Sequence, residues 1–311
     1  MAFDVATVHL RDFSGGSASA RHSFVQTLGR SLVETGFVKV DGHRVTPADI
    51  DTAYAAARDF FALPVEAKLT YVQERGAGGY TPFGTEHARD SDAIDLKEFW
   101  HVHQDVPVEH PLFDSYGPNV FPAEVPHFEP AMMRLYRDLE AAAQTLLEAT
   151  ALYLDLPERH LADMVVDGRS VLRIIHYPPL AAAAVPGAVR AAAHEDINLI
   201  TLLPAATDTG LELLDRDGNW HSVDGLEGEI VVDAGDMLSR HVNLKIPSTT
   251  HRVVNPAADD QARYSMPFFS HPRPEVVLDA PNALLDGDLK QFDPITADDF
   301  LNQRLAEIGL S

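Results

Sequence analysis

His194 and Asp196 stand two residues apart in AAAHEDINLITLL (residues 191–203), where an apolar run that reads as a buried strand begins. On a strand, residues i and i+2 project to the same face, roughly 6 to 7 Å apart along the backbone. An imidazole and a carboxylate side by side can chelate one divalent ion, and Glu195 between them is expected to face the other side, toward solvent. The bland alternative is a hydrogen-bonded pair at a strand end. A third ligand has to come from a distant segment, and His251 in STTHRVVN, at the edge of another strand, is the candidate. Two histidines and one carboxylate without cysteine are the ligand set of non-haem iron(II), and such a set leaves positions open for dioxygen and an organic co-ligand. Zinc accepts the same donors, but the sequence has no HExxH helix and these ligands fall on strands.

Arg263 and Ser265, in ARYSMPFF, share the same two-residue spacing. A guanidinium fork beside a hydroxyl is a carboxylate receptor. A dicarboxylate could therefore bind the metal with one end and Arg263 with the other; the alternative is an ion pair with one of the 47 acidic side chains. Most of the 15 histidines need no such role. His22, His43, His110, His160 and His271 read as surface or satisfied core residues.

Composition narrows the field. Lys and Arg number 24 against 47 Asp and Glu, a formal charge of −23, which repels nucleic acid and anionic membrane surfaces. The absence of cysteine excludes disulfides, thiolate catalysis and Cys-ligated clusters. The start MAFDVATVHLRDF lacks a basic segment leading into an apolar one, and no apolar run reaches the length of a membrane span. The expected compartment is the cytoplasm and the expected partner a small-molecule substrate. Nothing in the sequence sets an oligomeric state.

The elements that must carry these residues divide the chain. Up to about residue 165 the pattern is mainly helical: SASARHSFVQTLGRSLVETG closes on Gly36, TPADIDTAYAAARDFFALP opens with Thr46 as N-cap and Pro47 in the first turn, and EPAMMRLYRDLEAAAQTLLEATALYLDLP is the longest periodic stretch. From about 168, short Val-, Ile-, Leu- and Phe-rich segments alternate with turn residues: RSVLRIIHY, NLITLLP, LELLDRDGNW, EIVVDAGDML, THRVVN and RYSMPFFS. This is the pattern of an antiparallel sandwich or barrel. Residues 74–127 read as irregular and 179–193 as a loop broken by Pro186 and Gly187. TADDFLNQRLAEIG reads as a closing helix capped by Thr296.

Together HED at 194–196, THRVVN around His251, RYS at 263–265 and RIIHYPP at 173–179 resemble the iron(II)- and 2-oxoglutarate-dependent dioxygenases, most nearly the isopenicillin N synthase-like branch. DLKEFWHV at 95–102 and the first helices resemble that branch's N-terminal part. The resemblance implies an α+β fold with a mainly β core. That core is a double-stranded β-helix, or jelly roll, flanked by helices, with a helical and mixed region over 1–127 and the core and its supporting helix over 128–311. It implies an oxidoreductase that couples decarboxylation of 2-oxoglutarate to oxidation, by expectation hydroxylation, of a small organic substrate. Its cofactors would be Fe(II), 2-oxoglutarate and dioxygen. His194, Asp196 and His251 match the metal ligands and catalytic centre. Arg263 and Ser265 match the holders of the co-substrate's distal carboxylate, with Tyr177 beside them. Pro267 and Phe269 match the substrate pocket. A loop carrying Tyr80, Thr81, Phe83, His87, Lys97, Trp100 and His101 is expected near it, and Ile174, Leu199 and Phe268 are apolar candidates for lining or core. One departure is Ile175, where many members place an asparagine on the co-substrate. Two alternatives remain at this level: an oxidase of the same fold that needs no 2-oxoglutarate, and a non-catalytic jelly-roll binding protein.

Overall fold

Ser17 starts the first long helix, Ala18–Thr35, by accepting the Ala20 N–H at 3.2 Å, and Gly36 stops it in the left-handed region at φ 75°. A side chain at 36 would strain that conformation and would also lie 2.3 Å from the Thr249 hydroxyl. That same hydroxyl donates to the Thr35 carbonyl at 2.9 Å, so the helix end docks two residues before His251. Thr46 and Asp49 form a reciprocal capping box for the second helix, Pro47–Phe61, with Pro47 in its first turn. The longest helix, Phe128–Tyr153, buries Met132, Leu135, Tyr136, Leu139 and Leu146 along one face.

The computed structural model describes residues 5–73, 78–85, 97–179, 191–205, 210–223, 228–254, 262–285, 287 and 289–307. Thirteen strands build its two large sheets: β1 (Thr7–His9), β2 (Phe37–Asp41), β3 (Gly79–Thr81), β4 (Glu98–His103), β5 (Val171–Tyr177), β6 (Ala191–His194), β7 (Ile200–Pro204), β8 (Leu211–Leu214), β9 (Trp220–Ser222), β10 (Ile230–Ala234), β11 (His251–Val253), β12 (Arg263–Ser265) and β13 (Phe268–Ser270). The larger sheet runs β1-β2-β10-β7-β13-β5-β4-β3, with β12 also on β5; the smaller runs β6-β11-β8-β9. Alternation of successive core strands between two antiparallel sheets is the jelly-roll arrangement. β1 to β4, from the first 127 residues, are hydrogen-bonded into the larger sheet, with β2 on β10 and β4 on β5.

The core lies between the larger sheet and the helices. Phe60, Trp100 and Phe128 meet there edge to face or tilted, at centroid distances of 4.7 to 5.7 Å, and Tyr136 stands edge-on to Phe268 at 5.1 Å. Ile174, Leu199 and Phe268 belong to this core and do not line the site. Segment 74–127, read from sequence as irregular, contains β4. EFWHVH hides its strand character because nearly every residue is buried, which removes the alternation that marks a half-exposed strand. Among the described residues no helix is long and apolar enough to cross a membrane.

Candidate active site

β6 and β11 pair antiparallel with His194 directly opposite His251, which brings two residues 57 positions apart into contact. Their ring centroids are 4.4 Å apart. Asp196 follows β6 in the link to β7. Its Oδ1 lies 3.6 Å from His194 Nε2 and 3.9 Å from His251 Nε2. One ligand atom from each of the three side chains falls within 4.8 Å of the others, the one such group found among the described residues. Phe37, just past the first helix, stands edge-on to His251 at 5.8 Å.

Hydrogen bonds orient the donors. His194 Nδ1 donates to the Ala192 carbonyl at 2.8 Å and His251 Nδ1 to the Thr249 carbonyl at 3.2 Å. A carbonyl can only accept, so each Nδ1 carries the proton and each Nε2 turns a lone pair toward Asp196. Burial pulls His251 below the usual imidazole range, and the neighbouring His194 adds to this. Burial alone would raise Asp196. The imidazoles of His251 and His194, the Thr201 hydroxyl and Arg173 outweigh it and hold the carboxyl low. Neutral imidazoles and an ionised carboxylate are the protonation states a divalent metal needs. Asp233 on β10 is pushed well above the carboxylate range by burial, by the charge of Asp196 and by its hydrogen bond with Asp196.

Gly235 closes the back of this turn. A Cβ there would lie 2.3 Å from the Asn198 carbonyl oxygen and 2.8 Å from that of Asp196, while Asp236 N–H donates to the Asp196 carbonyl at 2.8 Å. Gly235 and Asp236, directly after β10, therefore hold the backbone that carries Asp196.

Arg263 and Ser265 lie on β12, paired with Tyr177 and Ile175 of β5. Arg263 is 2% exposed, and its Nε and Nη1 have no hydrogen-bond partner among the described residues. Its guanidinium stands 5.3 Å from the Tyr177 ring centre. The triad, Arg263, Ser265, Tyr177, Pro267 and Phe269 all line one cavity of about 520 Å³. Ile175 lines it opposite Ser265, an apolar surface where the family asparagine is missing.

Other placements differ from the sequence reading. Tyr80 does not line the cavity; its hydroxyl donates to buried Glu98, which also pairs with Lys68 at 2.7 Å and His176 at 2.8 Å. That buried carboxylate needs every donor in reach, and it draws the tyrosine away from the site. Trp100 is core, Phe83 is largely exposed beside His176, and Thr81 is not among the lining residues. Lys97 lines the cavity, and His101 accepts from Arg173 Nε at 2.6 Å. His87 lies outside the described residues. Glu195 is exposed as expected, yet sits at the cavity edge, where it accepts from Thr250 at 2.8 Å. His271 is half-buried and lines the cavity, with Nδ1 unpartnered among the described residues, and is thus no satisfied core residue.

Sequence reasoning missed Arg173, Thr201 and Asp233. The signal for Arg173 was its phase: it shares a β5 face with Ile175 and Tyr177. Leu301, Arg304 and Leu305 of the closing helix, Ala297–Glu307, also reach the cavity.

The chain is similar to known proteins over both of its parts. Residues 8–124 match the family of the non-haem dioxygenase in morphine synthesis N-terminal region, and residues 168–272 match the 2OG-Fe(II) oxygenase superfamily. A 2-oxoglutarate-Fe(II) type oxidoreductase of Emericella nidulans is 31% identical, over 93% of this chain and 86% of its own length. A crystal structure of a protein assigned to the 2OG-Fe(II) oxygenase family from Caulobacter crescentus is 41% identical with a TM-score of 0.87, covering 98% of this chain and 99% of that one. The full-length T7H of Neurospora crassa, solved with alpha-KG, is 25% identical with a TM-score of 0.84 over 96% and 95% of the two chains. The chain belongs to the 2OG-Fe(II) oxygenase superfamily and is a 2-oxoglutarate-dependent non-haem iron dioxygenase.

Proposed function

We propose that His194, Asp196 and His251 hold the iron, that Arg263 and Ser265 hold the distal carboxylate of 2-oxoglutarate, and that the enzyme hydroxylates a small organic substrate between Pro267, Phe269 and the outer cavity wall. The observation that carries this reading is the meeting of two Nε2 lone pairs and one carboxylate oxygen within 4.8 Å. The donor set suits ferrous iron, and Nε and Nη1 of Arg263, without partners among the described residues, suit a dicarboxylate. Iron with 2-oxoglutarate and dioxygen supplies the oxidising power when bound.

The chain's own residues do the rest. The Ala192 and Thr249 carbonyls fix both imidazole tautomers before any ligand arrives. Arg263 and Ser265 set which end of the co-substrate points at the triad. Ile175, Tyr177 and Phe269 keep water from the reacting carbon. Relatives name small molecules: one is a proline hydroxylase of Petromyces alliaceus, and T7H was solved with 5-formyluracil. A small organic acid, amino acid or heterocycle is the class this cavity suits, and the acidic chain favours neither nucleic acid nor a membrane surface as partner. A cytoplasmic setting fits a cysteine-free chain.

Anaerobic titration with Fe(II) and 2-oxoglutarate tests the reading. A visible metal-to-ligand charge-transfer band is expected in the native protein and not in Asp196→Ala, with succinate and CO₂ formed on admitting oxygen. A band of full strength in Asp196→Ala would remove the assignment.

A further inference from the structure

We propose that Thr201 is a positioning residue that fixes which oxygen of Asp196 faces the metal. The inference rests on reading His194, Asp196 and His251 as the iron ligands. Asn198 lies two residues after Asp196 and three before Thr201. Asn198 is fully buried, and its amide nitrogen donates to the Ile200 carbonyl at 3.2 Å and to Thr201 Oγ1 at 2.9 Å. Both amide protons are thereby used. Thr201 Oγ1 is then an acceptor from Asn198, and its single proton has one remaining direction, toward Asp196 Oδ2, to which it is hydrogen-bonded.

The consequence is an asymmetric carboxylate. Oδ2 is held by a buried hydroxyl, while Oδ1 faces both histidine Nε2 atoms at 3.6 and 3.9 Å. Thr201 sits on β7 directly across from Asp233 of β10, so its backbone is fixed by the sheet on the same side that buries the carboxylate. A residue between a metal-binding carboxylate and a rigid strand limits that carboxylate to one orientation, and removal of such partners typically costs about 10- to 100-fold in metal affinity. The hydroxyl is the functional element. Valine would keep the shape but remove the hydroxyl from both Asp196 Oδ2 and one Asn198 N–H, leaving the hydrogen bond with Asp233 as the carboxylate's other side-chain tie.

The test uses Co(II) as probe, titrated anaerobically into metal-free full-length protein and read by its visible d–d bands, alongside the melting temperature of the metal-free form. Thr201→Val is expected to weaken Co(II) binding about 10- to 100-fold. Thr201→Ser, which keeps the hydroxyl, is expected to bind within about twofold of the native chain. Thr201→Ala provides a second loss variant should the valine fail to fold. Asp196→Ala separates the two levels of the argument. Native binding in Asp196→Ala overturns the ligand reading itself. Loss of binding there, with native Co(II) affinity in Thr201→Val and only a lowered melting temperature, overturns the positioning role and leaves Thr201 as a structural contact.

Discussion

The two ends of the cavity are finished in opposite ways. At the triad, polar groups are matched within the protein: both Nδ1 protons go to backbone carbonyls and Asp196 Oδ2 receives the Thr201 hydroxyl. What remains open is three lone pairs facing one another, a geometry set before the ion arrives. At the other end a nearly fully buried guanidinium keeps Nε and Nη1 without hydrogen-bond partners among the described residues. One end is preorganised for a cation; the other is an unbalanced cation whose desolvation has to be offset by an anion from outside. The contrast explains how one cavity can span a dicarboxylate: one end of the ligand would meet the metal held at the triad, and the far carboxylate would balance the guanidinium.

The largest effect belongs to Asp196→Ala. It removes the one carboxylate of the triad, and we expect iron binding by equilibrium titration and succinate formation both to fall to background. The next variant, Arg263→Ala, separates the two ends. The KM for 2-oxoglutarate should rise about 10- to 100-fold, since a charge-assisted pair with a buried partner is worth about 1.5–3 kcal/mol and every 1.4 kcal/mol is tenfold. Fe(II) affinity without co-substrate should stay within about twofold. The ligand-free melting temperature should hold or rise, because a buried charge without a partner is a cost to the fold. A substantial fall in that temperature would show that Arg263 already has a compensating partner, and the contrast would break.

Much of this was legible in the sequence, and the failures have physical causes. His194 and Asp196 stood out because their two-residue spacing on a strand puts an imidazole and a carboxylate on one face, and the motif order, not the pair alone, favoured a metal over a strand-end hydrogen bond. His251 could be matched to them only by motif order, since cross-strand register is a tertiary fact: it lies opposite His194 on β11. The capping signals at Thr46 and Gly36 translated directly into helix ends. Strand β4 was invisible because burial on both faces erases the two-residue period. Thr201 could not be singled out, because a threonine in an apolar strand reads as an ordinary β-former until its hydroxyl partner is seen. Tyr80 went to Glu98 because a buried carboxylate 18 residues away outcompetes a pocket for its hydroxyl.

The wall between the two ends carries a titrating group of its own, and pH exposes it. Burial pulls His271, on the cavity wall, down to about 4, and nearby Arg169 and Arg173 oppose its protonation while Asp196 favours it. An unfolded chain would protonate this imidazole near 6.5. Between those two values the unfolded state binds the extra proton, so stability falls as pH drops from about 6.5 to about 4 and is unaffected by this group above that window. The loss is on the order of 3 kcal/mol at its fullest. Urea midpoints for the native chain and His271→Gln should diverge at neutral pH least and at pH about 4.5 most, with the variant showing the shallower slope. Parallel curves would mean that His271 gains a proton as easily folded as unfolded, and that its place on the cavity wall does not hold it neutral.

The smallest effect is expected at the cavity mouth, where Arg304 of the closing helix pairs with Asp236 at 2.9 Å and with Glu307 at 2.8 Å. This cation differs from Arg263 in both burial and partnership: about a third of its side chain is exposed, and two carboxylates already serve it. Exposed ion pairs contribute about 0 to 1 kcal/mol. Arg304→Gln should lower the melting temperature by about 2 °C or less for a chain of this size. Because the guanidinium is already balanced, no anion is needed to complete it, and the KM for 2-oxoglutarate should move by less than about twofold. A change of tenfold or more would mean that the helix transmits the mouth's charge to the Arg263 end, and the two ends could no longer be treated as separately built sites joined by an apolar wall.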